Sequence, residues 1–280
     1  MENQLTILEY IEKSKVCEFK IIFVLDDSSY GALKNLQELV LKCGREDILI
    51  LQYEGRNPGG ARNRAIRYVT TPWVQFCDSD DSADLSLIID LLDGAQDWEC
   101  DAIVAGFEAD NVHQSSIFSK LSEKISSLSL EIICNPGIWR WIFRSKSIER
   151  LQFPETRMGE DQVFLAKFLA TNPCLKDLNT LMIYKYRSKS PGSLTSQYNS
   201  SEMKKSLEEF GKVPLIQAKG RNRFLIIALY LKMSLTIILR EEKQSSLENI
   251  GNLFKFMLKA TRLLSLGQCG KLESLGERSA

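Results

Sequence analysis

Histidine is almost missing from this chain. His113 is the only one in 280 residues, and it follows Asp110 and Asn111 in a polar stretch, where a solvated loop residue is the ordinary reading. One histidine leaves Ser-His-Asp, Cys-His and multi-histidine zinc chemistry hard to assemble. Cysteine occurs at 17, 43, 77, 100, 134, 174 and 269 but never as C-x-x-C. An odd, scattered set argues for reduced thiols in a cytosolic protein and against a disulfide framework or zinc site. Excess charge is absent as well, with 36 Lys and Arg against 36 Asp and Glu. No overall field draws the chain to nucleic acid or to an anionic membrane, and nucleic acid is not expected as a partner. Met1-Glu2-Asn3-Gln4 lacks the basic start and apolar core of a signal peptide, so a cytoplasmic location is the expectation. Near-continuous apolar sequence from Phe224 to Leu239, interrupted by Lys232, Ser234 and Thr236, is short of the ~20 residues of a spanning helix.

What is present fits a soluble globular protein: 44% hydrophobic and 26% charged residues exclude disorder and fibrous classes, and the length suits one large or two small domains. With histidine and paired cysteine set aside, the chemistry must run on carboxylates, arginines and hydroxyls. The run Gln75-Phe76-Cys77-Asp78-Ser79-Asp80-Asp81 crowds three carboxylates onto the end of a short apolar strand. Such acids repel one another unless a hard divalent ion or hydrogen-bonding partners offset the charge. The competing reading is an acidic helix start, because Asp81, Ser82 and Asp84 precede Leu85, Leu87, Ile88 and Leu91.

Apolar runs and turn signals predict strands near 19–25, 48–52, 73–77 and 102–107, with helices between them over about 33–40, 61–68 and the 80s. Strands alternating with helices on short loops imply an α/β fold with a mostly parallel sheet covered on both faces. Ligands of such sheets sit beyond the carboxyl ends of the strands, where Asp26, Asp27, Asp78, Ser79, Asp80 and Asp81 all fall. Residues 110 to 135 are Ser-rich and predict a loop with a short helix. A strand at Gly137–Arg144, a helix at Gln162–Ala170, a strand at Leu181–Arg187 and a loop containing Pro191-Gly192 follow, and the chain is helical from about 200. The Phe224–Leu239 stretch reads either as a buried or dimer-facing helix or, with Lys219, Arg221, Arg223, Arg240, Lys255 and Lys259 nearby, as one lying on a membrane surface.

Asn57-Pro58-Gly59-Gly60-Ala61-Arg62-Asn63 puts two glycines before a helix carrying Arg62, Arg64 and Arg67. Free amides and guanidinium groups there suit a pyrophosphate, although a glycine turn before a solvated basic helix is the commoner structure. It is not a P-loop, because that motif's spacing and Lys-Ser/Thr ending are absent.

Five elements occur in order: Val24-Leu25-Asp26-Asp27-Ser28-Ser29, Gly59-Gly60-Ala61-Arg62-Asn63, Trp73 to Asp81, Gly159-Glu160-Asp161, and Tyr184-Lys185-Tyr186-Arg187 with Gly192-Ser193. Together they resemble the family 2 glycosyltransferases of the GT-A fold, bacterial surface-polysaccharide type, over roughly residues 5 to 198. The resemblance implies a GT-A domain at 1–198, divided into a nucleotide-binding half (1–109) and an acceptor half (110–198); beyond it the alternation of apolar and basic residues reads as a helical C-terminal region at 199–280. It implies that Asp26, Asp27, Arg62, Asp78, Ser79 and Asp80 bind a nucleotide-sugar, usually a UDP-sugar, and that Asp78 and Asp80 hold Mn2+ or Mg2+ on the diphosphate. Oxygen donors without histidine or thiolate agree with those ions. Asp161 matches the family's catalytic base, beside Glu160, whereas the local alternative is a helix N-cap before Val163 and Phe164. Trp139 and Trp141 read either as an apolar wall for a sugar or as core, and Arg187 and Ser193 match positions near phosphate or acceptor. The activity implied is inverting transfer to a glycan or lipid-linked acceptor; peripheral membrane contact through the C-terminal helices is the expectation that the basic residues around Phe224–Leu239 keep open.

The chain departs from that pattern at its start, where Leu5, Leu8, Ile11 and Glu12 resemble the family's first helix and no apolar strand with a Pro-x-Tyr-Asn-like ending comes before them. The family's usual late metal-ligand histidine has no counterpart either. A missing central strand should leave unpaired backbone beside the base. It keeps open a second reading, a non-catalytic nucleotide-sugar-binding or scaffold relative. A two-carboxylate glycoside hydrolase leaves the Arg62 loop and the triple acid without a role.

Overall fold

The computed structural model describes residues 19–26, 30–44, 47–95, 97–109, 128–187 and 198–241. β-branched and aromatic runs become strands at Ile21–Asp26 (β1), Ile48–Tyr53 (β2), Trp73–Gln75 (β3), Ser82–Ala83 (β4), Ala102–Ala109 (β5), Trp141–Arg144 (β6) and Leu175–Tyr186 (β7). Helices occupy Tyr30–Cys43 (α1), Pro58–Ile66 (α2), Leu85–Asp93 (α3), Leu128–Cys134 (α4), Ser145–Ile148 (α5), Glu160–Ala170 (α6), Ser200–Phe210 (α7) and Gly220–Glu241 (α8). The α/β architecture is the one the sequence predicts, but its strand pairing is more mixed. β1 and β2 form a parallel pair, while a second sheet runs in the order β3-β6-β5-β7-β4. There only β5 and β7 are parallel; β6 pairs antiparallel with both β3 and β5, and β4 antiparallel with β7.

Two local features explain the differences. The strand expected over 137–144 begins as a 3-10 turn at Ile138–Arg140, which turns the chain into β6 against β5. β7 starts six residues earlier than its apolar stretch, because Leu175–Leu178 pair with Ala102–Ala105 before the register shifts around Gly106. The shift requires glycine: a Cβ at 106 would stand 2.3 Å from the carbonyl oxygen of Asn179.

The five-stranded sheet carries a core on each face. On one side Phe76, Trp141, Phe143 and Phe153 meet Phe164 and Phe168 of α6 and Leu225, Leu229 and Met233 of α8. Phe153 and Phe164 stack at 3.8 Å, with Phe76 edge-on to both. On the other side Ile88 of α3 packs with Ile103, Ile142, Trp139 and Tyr184. The helices expected beyond residue 199 therefore complete the main core. α8 is long and apolar enough to cross a membrane by length and composition. One of its faces is nevertheless buried through Leu225, Ile226, Leu229, Met233 and Ile237, while Phe224 and Leu239 point outward. A cavity of about 450 Å³ beside β3, lined by Ile66, Val69, Val74, Arg144 and Ile148 among others, shares no residue with the carboxylate cluster described next.

Candidate active site

The Asn57 turn is closed by its own side chain. Asn57 Oδ1 accepts from the Gly60 amide at 2.7 Å, and its Nδ2 donates to Gly55 O and the Tyr53 hydroxyl, which starts α2 with Pro58 in its first turn. The glycines serve close packing. A Cβ at Gly59 would lie 2.0 Å from Pro154 O, and one at Gly60 1.8 Å from the Tyr53 oxygen. With the Gly60 amide already engaged, this turn is not the open amide cradle that the sequence allows.

α2 instead delivers Arg62. Its Nη2 donates to Asp78 Oδ1 and its Nη1 to Glu160 Oε1, each at 2.7 Å, and the guanidinium lies over Phe153. Burial opposes its charge, but Asp78 and Glu160 more than offset that and hold its pKa above the ordinary value. One side chain thus gathers the acid run after β3 and the acidic pair opening α6, which lies 98 residues further along the chain.

α6 can begin there because Gly159 takes a left-handed conformation, φ +77°, beside the Met203 and Met233 side chains. Asp161 is the second residue of the helix and does not cap it; its Oδ1 accepts from the Gln162 amide. Part of its surface stays open, yet protein encloses it deeply enough that burial, reinforced by the charge of Glu160 and opposed by Arg62, pushes its pKa up to about 7. A carboxylate at that value is poised to take a proton near neutrality.

The three crowded acids have different fates. Asp78 is half-buried on Arg62. Asp80 is half-exposed and, among the described residues, carries no hydrogen bond or ion pair. Asp81 is only 1% exposed; burial pushes its pKa up to about 6, against hydrogen bonds from the Arg187 amide and the Tyr184 hydroxyl. The helix start that the sequence also allows is Asp84, whose Oδ1 caps α3.

Of the other candidates, Trp141 is fully buried against Phe143 and Phe168, so it is core and offers no surface to a sugar. Trp139 is 8% exposed and stacks on Tyr184 and Tyr186. Ser79 is exposed at the acid turn, Arg187 is exposed at the end of β7, and Asp26 ends β1 in register with Tyr53. Asp27 and Ser193 lie outside the described residues.

Two residues here were not foreseen as site residues. Tyr184 donates to Asp81 and accepts from the Asp78 amide. Lys232 donates to Ile133 O and Cys134 O at the end of α4, and its pKa falls to about 8, chiefly through burial, with Cys134 and Asp161 opposing the fall. The signal for Lys232 was a solitary cation in an apolar helix.

Among the described residues no group of three or more His, Cys, Asp and Glu side chains is placed to enclose a metal ion. Asp78 and Asp80 still suit Mg2+ or Mn2+, since such ions sit on one or two carboxylates and take their remaining ligands from phosphate and water.

A family model described as glycosyl transferase family 2 matches residues 4–166. Among solved structures, S. aureus TarS 1-349 in complex with UDP-GlcNAc aligns with a TM-score of 0.67 at 19% identity, covering 90% of this chain and 77% of that one. The mannosyltransferase PcManGT from Pyrobaculum calidifontis, in complex with GDP-Man and Mn2+, aligns with a TM-score of 0.60 at 13% identity, covering 97% and 76%. At these identities the likeness establishes a shared fold, the GT-A arrangement. No curated protein sequence matches the chain.

Proposed function

The chain belongs to glycosyl transferase family 2, and on that premise we propose that it is an inverting, metal-dependent transferase moving a sugar from a UDP-sugar to a glycan or lipid-linked acceptor. The acceptor serves surface polysaccharide or lipopolysaccharide synthesis. The observation that carries this reading is Arg62, whose two 2.7 Å contacts join the Asp78 turn to the Glu160-Asp161 pair, which supports a donor site beside a proton acceptor.

Asp161 takes the proton of the acceptor hydroxyl as its oxygen attacks the anomeric carbon. A new C–O bond forms on the face opposite the departing diphosphate, whose C–O bond breaks with its electron pair. Arg62 offsets part of the charge gathering on the diphosphate. Asp78 and Asp80 would hold a Mn2+ or Mg2+ ion, which when bound supplies Lewis-acid stabilisation of that leaving group. Glu160 keeps Arg62 in place beside the base. The exposed Phe224 and Leu239, with Arg221, Arg223 and Arg240 near the ends of α8, support peripheral contact with the inner face of a membrane.

The test is UDP release from a panel of UDP-sugars with Mn2+ and lipid-linked or oligosaccharide acceptors. Asp161→Asn should lower turnover about a thousandfold with the fold preserved. Full turnover in that variant would remove Asp161 from the mechanism. Among the described residues β1 and β2 pair only with each other, which favours a second reading, a nucleotide-sugar-binding relative without turnover. Calorimetric UDP binding with no release from any donor would decide for it.

A further inference from the structure

Asp81 is the acid of the run that faces inward, and among the described residues no cationic side chain bonds to it. A buried carboxylate is tolerated only when hydrogen bonds replace its water. Both of its oxygens are served from β7: Oδ2 by the Tyr184 hydroxyl at 2.7 Å and Oδ1 by the Arg187 amide at 2.7 Å. Tyr184 has one hydroxyl proton. Because that proton is committed to Asp81, the oxygen presents a lone pair to the Asp78 amide, 3.1 Å away. The Asp81 amide closes the turn onto Asp78 O at 3.1 Å.

The frame around this chain of bonds is rigid. The Tyr184 ring stacks on Trp139 at 4.8 Å, Trp139 meets Phe107 edge-on at 4.6 Å, and its carbonyl accepts from Gln75 at the end of β3. Just beyond the acids, Ser82 and Ala83 pair with Lys185 and Tyr184, and the Asp84 amide donates to Ile183 O. The turn is therefore stitched to β7, with Asp81 as the stitch and Asp78 and Asp80 left on the solvent side.

We infer that Asp81 is a positioning residue for donor binding: acting through Tyr184 and the Arg187 amide, it locks the Asp78–Asp80 turn to the end of β7 in the form that takes a nucleoside diphosphate with its cation. This rests on the donor reading above. Charge matters here through direction. Asparagine at 81 has one accepting oxygen, so its amide would face either the Arg187 N–H or the Tyr184 hydroxyl. In the second case the tyrosine would turn its proton away and accept from the new amide, which competes with Asp78 for the same oxygen and weakens that bond.

The experiment compares Asp81→Asn, Tyr184→Phe and the double variant with the unmodified protein. Tyr184→Phe keeps the stacked ring and removes only the hydroxyl, so it tests the lock if Asp81→Asn folds poorly. Amide hydrogen exchange in the ligand-free protein should speed up about 10-fold at Asp78 in Tyr184→Phe, and at either Arg187 or Asp78 in Asp81→Asn, according to which of the two the new amide faces. Calorimetric affinity for UDP with Mn2+ should fall about 10-fold in each. The donor KM should rise by a similar factor while kcat at saturating donor changes less than about threefold. The double variant should be no worse than Asp81→Asn, because both substitutions cut one chain of bonds. Unchanged exchange, unchanged affinity, or losses that multiply in the double variant would overturn the inference alone. Failure of the unmodified protein to bind UDP with Mn2+ would overturn the donor reading and this inference together.

Discussion

β5 and β1 are both runs of consecutive apolar residues, Ala102–Ala105 in one and Ile21–Leu25 in the other, yet they end in different surroundings. Ala102, Ile103, Val104 and Ala105 have no exposed surface, whereas each residue from Ile21 to Leu25 keeps some. β5 is paired on both edges and covered on both faces. β1 pairs with β2 alone among the described residues and has α2 against it. A continuous apolar strand fits a place with both faces covered, but the sequence of the strand does not supply the neighbours that cover it. The part of the molecule holding Asp161 thus rests on a deep core, the part ending in Asp26 on a shallow one, and Arg62 stands at the seam between them.

The widest separation between the two regions should come from matched truncations. Phe164→Ala removes a ring stacked in the deep core and is expected to destabilise by about 3–4 kcal/mol. Phe23→Ala in half-buried β1 should cost about 1 kcal/mol. Urea unfolding of both variants measures the difference, and equal losses would break the comparison. Arg62→Met probes the seam. Removing one partner of a part-buried network leaves Glu160 without its cation, with an expected loss of about 2 kcal/mol and a larger loss of UDP release. If the variant kept its stability and lost only turnover, the seam would be catalytic without being structural.

The smallest effect sharpens the electrostatic side of the comparison. Asp161 has a folded-state pKa of about 7 against an ordinary 3.8. Between those values the folded state binds more protons than the unfolded chain. The contribution to stability is therefore present at low pH and is lost as pH rises through about 7. Asp81, raised to about 6, adds in the same direction. Because Asp161 is partly open, the loss from Asp161 between pH 5 and 8 should be about 1 kcal/mol. Asp161→Asn should flatten the pH profile of unfolding and gain stability near pH 8 while losing turnover. A steeper profile in that variant would contradict the assignment.

Much of this was legible along the chain. The Asn57-Pro58-Gly59-Gly60 turn, the strand ending before Asp78 and the helix opening at Glu160 are set by turn chemistry and apolar periodicity, which act over a few residues. Trp139 and Trp141 read alike in the sequence because their spacing in an expected strand puts them on one face; only the 3-10 turn at Ile138–Arg140 sends them to opposite sides of the sheet. The early half of β7 was hidden because Lys176 and Asp177 interrupt its apolar pattern, and only pairing with β5 makes it a strand.

The sequence by itself determined that carboxylates stand at a strand end, that an arginine follows a glycine turn, and that a second acidic pair opens a helix, because each depends on near neighbours in the chain. Only the tertiary structure decided that Arg62 grips Asp78 and Glu160 together, and that of three neighbouring acids Asp78 meets the arginine, Asp80 bonds to none of the described residues and Asp81 turns inward to Tyr184. Those choices depend on which distant strand lies behind the turn, and residues 103 positions apart meet only when the sheet brings β7 beside it.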